Sequence, residues 1–272
     1  APTRAGRLLI GCPPGENHTF SPLLLTFLLR RRGWDVLYLG ADVPTDRLAM
    51  TIESTRPDLV IFSAQMLDTA ASLYDVAVYL RAAGIALAYS GYIFGLVPEL
   101  THRIPGHFLG YDLRRTPAII ENLLADRPPA PPTEPVPESY SHAWAYFRER
   151  SGLIETHIWQ PLNSNAALNG TAEAIRRLTN NILSALKLGD LDYIAPNLQW
   201  LVGMMSSLNL PADTLCHFLT AYHAATAQHL DVMDCVPHSF RTLYTETYLH
   251  LVTRYPLLWA KLYQITDRAR PA

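Results

Sequence analysis

Short apolar runs along the first half of the chain alternate with stretches whose apolar residues recur at helical spacing. Leu8-Leu9-Ile10, Val36-Leu37-Tyr38-Leu39, Leu59-Val60-Ile61-Phe62 and Ala86-Leu87-Ala88-Tyr89 are nearly continuous and end in polar or small residues. Runs of this kind predict parallel strands buried on both faces. His107-Phe108-Leu109 is a shorter fifth candidate, and between the runs the spacing predicts helices near 22–32, 45–54, 68–83 and 114–125. The second half has no comparable strand signal. Ile175, Leu178, Ile182 and Leu186 keep helical spacing, as do Leu191, Ile194, Leu198, Leu201 and Met205. Leu215, Leu219, Tyr222 and Met233 repeat it, and so do Phe240, Tyr244, Leu251, Leu258 and Leu262.

These patterns imply two architectures in one chain. The first is a flavodoxin-like (Rossmann-type) five-stranded parallel sheet, in which ligands bind outside the carboxyl ends of the strands. The second is a helical bundle or globin-like domain of all-α class. Six prolines (Pro128, Pro129, Pro131, Pro132, Pro135, Pro137) lie between them and read as a semi-rigid linker. The predicted division is 1–126, a linker at 127–139, and 140–272.

Composition narrows the function classes. A formal net charge of −2 and the absence of a basic run give no electrostatic footprint for direct nucleic-acid binding. No apolar stretch is long enough for a membrane span and no leader signal stands at the start, so a cytoplasmic protein is expected. The three cysteines, Cys12, Cys216 and Cys235, are too scattered for a disulfide framework.

Candidate chemistry gathers after the first strand, in Gly11-Cys12-Pro13-Pro14-Gly15-Glu16-Asn17-His18-Thr19-Phe20-Ser21-Pro22. Ser21 and Pro22 read as the N-cap and first residue of a helix. His18 then sits on the loop before that helix, and Glu16 can hold one imidazole nitrogen while the other ligates a metal. The loop is too poor in glycine for a dinucleotide fingerprint or a phosphate-cradling loop. It also supplies too few ligands for a bare ion, whereas a metal inside a macrocycle needs only an axial one.

Glu16-x-His18, followed by Ser63-x-Gln65 and Ser90-Gly91, resembles the cobalamin-binding domain pattern, with Gly33-Trp34, Leu39-Gly40, Val43-Pro44 and Arg56-Pro57-Asp58 in matching order between them. The closest flavour is the B12 domain of light-sensing transcriptional regulators. The resemblance implies a base-off cobalamin with His18 as the lower axial cobalt ligand and Glu16 orienting it. It further implies that Ser63 contacts the dimethylbenzimidazole tail in a slot lined by Gly91 and its neighbours. The cofactor contacts it implies are Gly15, Glu16, Asn17, His18, Thr19, Phe20, Ser21, Val43, Ser63, Gln65, Met66, Tyr89, Ser90, Gly91, Tyr92, Phe94, Gly110 and Tyr111. Ser21 and Ser90 depart from the pattern, which has glycine at both places.

In those regulators a helical bundle precedes the B12 domain and uses a Trp with a downstream Glu-His pair. Here the helices follow, Trp200 precedes Met204-Met205, and no Glu-His pair occurs. The helical half holds seven of the ten histidines (His142, His157, His217, His223, His229, His238, His250) and eight of the 14 tyrosines, which suits a flat conjugated ligand. By domain order the chain resembles the photocobilins, in which a helical bilin-binding domain follows the B12 domain. That resemblance implies adenosylcobalamin with biliverdin, and a light-driven cobalt–carbon cleavage that changes domain packing or oligomeric state. Candidate bilin contacts are Arg176 (with Arg177), Tyr222, His229 and Arg241; Cys216 and Cys235 are candidate anchors. The expectation is a sensor rather than an enzyme, a homo-oligomer such as a dimer, with an output enzyme or signalling domain as partner. The alternatives are a corrinoid carrier or subunit of a B12-dependent methyltransferase or mutase, and a haem- or bilin-binding globin-like sensor.

Overall fold

The computed structural model describes residues 1–162, 171–194, 196, 221, 222, 224–226 and 228–230. The chain divides between Val136 and Pro137 into two compact units.

In the first unit, β1 (Arg7–Gly11), β2 (Asp35–Gly40), β3 (Leu59–Ser63), β4 (Leu87–Ser90) and β5 (His107–Phe108) form one sheet in the order β2-β1-β3-β4-β5. Every pairing is parallel. Helices α1 (Phe20–Arg31), α2 (Thr45–Thr55), α3 (Leu67–Ala82), α4 (Ile93–Leu96) and α5 (Thr116–Asp126) make the crossovers, and a 3-10 turn, Pro98–His102, follows α4. The order of connection reverses at β1 and β3, so the loops after these two strands diverge and open a crevice at their carboxyl ends.

Both faces of the central strands are covered, as continuous apolar runs require. Leu8, Ile10, Leu59, Ile61 and Ala88 point to one face and pack with Leu25 and Leu29 of α1 and Ile120 of α5. Leu9, Val60 and Phe62 alternate to the other face and are buried. β2 departs from the expectation of a buried strand: only Val36 is buried and Leu37 is 37% exposed. An edge strand has a neighbour on one side alone, and apolar content does not distinguish the two positions.

Helix α1 also begins earlier than the Ser21-Pro22 reading allows. Thr19 is the cap residue, without a side-chain capping bond, and the Leu23 amide donates to the Thr19 carbonyl at 3.0 Å. Ser21 and Pro22 therefore lie inside the first turn, where the missing proline N–H has no intrahelical partner to lose.

The proline run is held against the first unit. The Glu134 amide donates to the His102 carbonyl at 2.9 Å, and the Arg103 guanidinium donates to the Pro135 carbonyl at 2.8 Å. His107, on β5, bonds the Pro128 carbonyl; burial nonetheless holds its imidazole below the ordinary histidine value. The run thus satisfies polar groups next to the short edge strand β5.

The second unit contains α6 (Glu138–Leu162), α7 (Thr171–Leu188) and a 3-10 turn, Leu191–Ile194. Ala143, Phe147, Ile154 and Ile158 of α6 bury against Ile175, Leu178 and Leu186 of α7, with Tyr222, Ala225 and Leu230 joining the same cluster. Leu191 and Ile194 lie in the 3-10 turn. The helical spacings read at 198–219 and 233–262 fall outside the described residues. No helix among the described residues is long and apolar enough to cross a membrane.

Candidate functional site

The loop after β1 is shaped by backbone bonds before any side chain acts. The Val43 amide donates to the Cys12 carbonyl at 3.1 Å, the Asp42 amide to the Glu16 carbonyl at 2.9 Å, and the Gly15 amide to the Asp42 carboxylate at 2.7 Å. Gly15 sits at φ +82°, a left-handed conformation that suits glycine, and it turns the chain so that Glu16 points inward.

Glu16 is fully buried, yet every acceptor direction is used. Its Oε1 accepts the His18 amide at 2.9 Å and His18 Nδ1 at 2.6 Å. Its Oε2 accepts the Gln65 amide at 2.6 Å and the Thr69 hydroxyl at 2.7 Å. Four donors on two oxygens satisfy a buried carboxylate, which would otherwise be costly to place there. The same carboxylate joins the loop after β1 to the start of α3.

With Nδ1–H donated to Glu16, the lone pair of His18 lies on Nε2, and the side chain is 67% exposed. The result is a fixed, outward-facing imidazole nitrogen at the carboxyl edge of the sheet. Beside it, Cys12 is a buried free thiol that donates weakly to the His18 carbonyl at 3.8 Å. Burial, and then the nearby Glu16 carboxylate, push the Cys12 thiol up to about 12.

The loops after β3 and β4 meet through Gln65. Its amide nitrogen donates to Ser63 Oγ at 2.8 Å, and its amide oxygen accepts the Tyr92 amide at 3.0 Å. Gly91 allows this meeting. A Cβ there would stand 1.7 Å from the Ala64 carbonyl oxygen, and its φ is +142°. The glycine is thus required by backbone approach.

A shallow, open cleft lies between the sheet and α1, walled by Ile10, Leu25, Ile61, Phe62 and Leu113 and carrying Ser21, Ser63 and Ser90. Three expected contacts therefore line one cavity. Others lie around it: Val43 is buried beneath the loop, Met66 caps α3, and Asn17, Phe20, Tyr92 and Tyr111 are exposed. Gly110 takes a left-handed turn at φ +74°. Tyr89 and Phe94 do not reach the cleft. They are buried ring against ring at 4.9 Å, with the Tyr89 hydroxyl donating to the Thr101 carbonyl at 3.2 Å.

Sequence reasoning missed Thr69, Asp42 and the apolar cleft wall from Leu113. Thr69 carried one readable signal, a hydroxyl three residues after the cap of α3, where it accepts the Met66 amide at 3.1 Å. Its bond to Glu16 spans 53 positions and has no local signature.

In the helical unit, Arg176 is exposed and paired with Glu173, whose carboxylate also takes Arg177. Tyr222 is buried with its hydroxyl 2.9 Å from Thr179 Oγ1. His229 is half-buried, edge-on to His157 at 5.3 Å between ring centres, and its buried Nε2 has no hydrogen-bond partner. Arg241, Cys216 and Cys235 lie outside the described residues.

One exposed imidazole nitrogen backed by a buried carboxylate is a mount for a metal that already has its other ligands. Among the described residues no cluster of three or more His, Cys, Asp and Glu side chains offers a site for a bare ion. A doubly wound sheet with such a mount and a cleft beside it fits a corrinoid. Residues 6–115 match the family described as B12 binding domain.

The chain is 42% identical over 64 residues to the HTH-type transcriptional repressor CarA of Myxococcus xanthus, a segment that covers 23% of this chain and 22% of the repressor. Among solved structures it is similar to a cobalamin-binding protein from Desulfitobacterium hafniense DCB-2 (15% identity, TM-score 0.40, 44% of this chain and 59% of that one). It is also similar to the methanol:cobalamin methyltransferase complex from Methanosarcina barkeri (24% identity, TM-score 0.40, 46% and 48%). The monomethylamine corrinoid protein of the same organism gives 16% identity and a TM-score of 0.40 over 44% and 58%. The chain thus spans about a fifth of the curated relative and about half of each structural one.

Proposed function

We propose that the first unit holds a cobalamin in the base-off form, with His18 Nε2 as the lower axial ligand and the nucleotide tail in the cleft. The observation that carries this is the Glu16–His18 pair, closed on Nδ1 at 2.6 Å and open on Nε2. The bound corrinoid would supply an upper cobalt position able to exchange an alkyl group. Glu16 fixes the tautomer and the ring plane of His18; Gln65 and Thr69 fix Glu16; Ser63, Ser21 and Ser90 present hydroxyls to the tail. In this reading the upper face is offered to a partner that brings the substrate. The chain then acts as a corrinoid carrier or subunit of a B12-dependent methyltransferase or mutase, without turnover chemistry of its own.

A second reading makes the chain a light sensor that pairs adenosylcobalamin with biliverdin, assembles as a dimer and controls an output partner. A buried His229 Nε2 without a hydrogen-bond partner among the described residues is what supports a ligand in the helical unit.

Electron paramagnetic resonance of the cobalt(II) form tests the axial ligand. With ¹⁵N-labelled protein, the splitting from one axial nitrogen changes from a triplet to a doublet, and His18→Ala abolishes it. A splitting unmoved by the label rejects His18. Absorption spectra before and after green light, with and without added biliverdin, separate the two readings. Loss of the adenosylcobalamin bands together with a far-red bilin band supports the sensor; a light-inert protein that accepts methyl groups from a partner supports the carrier.

A further inference from the structure

The cleft beside His18 has apolar walls and three hydroxyls. Ser63 Oγ accepts the Gln65 amide at 2.8 Å, which leaves its own O–H directed elsewhere. Ser21 and Ser90 line the same cleft, and among the described residues their hydroxyls have no hydrogen-bond partner. Each hydroxyl is one donor and two acceptor positions. The ring that fills this cleft would meet Ile10, Leu25, Ile61, Phe62 and Leu113 on its flat faces and three hydroxyls at its edges. Burying those hydroxyls against a ring edge with nothing to offer them forfeits their bonds to water.

We infer that the cleft selects corrinoids whose lower base is a purine over those bearing dimethylbenzimidazole, and that Ser21 and Ser90 set the preference. This rests on the tail lying in the cleft with His18 on the metal. The chemistry of the two bases differs at their edges. Dimethylbenzimidazole presents two methyl groups and a single free ring nitrogen once the metal has taken His18. Adenine presents several ring nitrogens and an exocyclic amine, so it can accept from and donate to hydroxyls on more than one side. Each hydrogen bond gained in this way is worth about tenfold in affinity. A narrower bicyclic ring without methyl groups is also the better fit where two serine side chains enter the slot.

Equilibrium competition between cobalamin and its adenine-bearing analogue, on the full chain in the dark, measures the preference. The purine form is expected to bind about ten- to a hundredfold tighter, and the ratio to fall to about one in the Ser21→Ala, Ser90→Ala double variant. Alanine retains the Cβ, so the change isolates the hydroxyls; a thermal melt confirms that the variant is folded. Equal affinities in the unsubstituted protein, or a preference that survives the double substitution, overturn the inference while leaving His18 ligation standing. If the cobalt(II) spectrum of either complex lacks the ¹⁵N-sensitive splitting from His18, the axial reading fails, and the inference with it.

Discussion

At the scale of single residues, the site depends on a buried acid whose four donors come from both sides of the crevice. Glu16→Gln replaces one acceptor oxygen with an NH₂, and either orientation sets that group against a donor: the His18 N–H pair or the Gln65 amide and Thr69 hydroxyl. Leaving buried donors unmatched costs about 1–3 kcal/mol. If His18 holds the cobalt as proposed, loosening its imidazole lowers cobalamin affinity by about tenfold or more. Urea midpoints and a cobalamin titration of the variant check the two effects separately. The thiol beside the acid carries a pH dependence. Its pKa is raised in the folded protein from an ordinary value near 9 to about 12, so the folded state holds its proton more tightly. The resulting stabilisation is complete below about pH 9 and is lost as pH rises toward 12. Cys12→Ala should therefore flatten the alkaline limb of the stability–pH curve, and in native protein at pH 8 the Cys12 peptide should be alkylated by iodoacetamide only as fast as the first unit unfolds, whatever Cys216 and Cys235 do. Rapid labelling of the Cys12 peptide in the folded protein at that pH contradicts the burial argument.

At the scale of elements, the strands were the most legible feature. Continuous apolar runs are dictated by burial on both faces, and all five strands lie within a residue of their expected bounds. Where expectation and structure part, the cause is non-local. Nothing in Val36-Leu37-Tyr38-Leu39 says that β2 has a neighbour on one side only. The helix over 138–162 was not singled out, although Ala143, Phe147, Ile154 and Ile158 keep the spacing, because its partners on α7 lie elsewhere in the chain. His18 and Glu16 could be found because they are two residues apart, whereas Thr69 and the close approach of Ala64 to Gly91 appear only once loops from different strands meet. That approach yields a prediction for the loops themselves. Gly91→Ala places a Cβ within 1.7 Å of a backbone oxygen, so the loop after β4 must move away from Ala64. The movement breaks the Ala64 bond to the Ser90 carbonyl and the Gln65 bond to Tyr92. A loss of about 3 kcal/mol is expected from denaturant unfolding, together with weaker cobalamin binding. Near-neutral stability would mean that the two loops do not meet as described.

At the scale of the whole molecule, each unit has its own buried cluster, one built on the parallel sheet and one between α6 and α7. Separate cores predict separate cooperativity, because the contacts that resist unfolding in one unit are made within that unit. Urea unfolding of the full chain is expected to resolve two transitions when followed by a far-ultraviolet signal. Cobalamin distinguishes them. A ligand that binds only the folded first unit stabilises it by about 2.7 kcal/mol at a concentration a hundred times Kd. The transition that moves is then the one assigned to the sheet, and the second should stay in place if the helical unit does not touch the corrinoid. A shift of both by similar amounts would show that the helical unit closes on the bound cofactor. Repeating the experiment with the upper ligand exchanged from alkyl to water asks whether that closure depends on what the cobalt carries. A carrier whose helices play no part predicts no change in the second transition between the two ligand states. A sensor predicts that this transition, and not the first alone, reports the exchange, because only a unit that binds one ligand state more tightly than the other can be shifted by it.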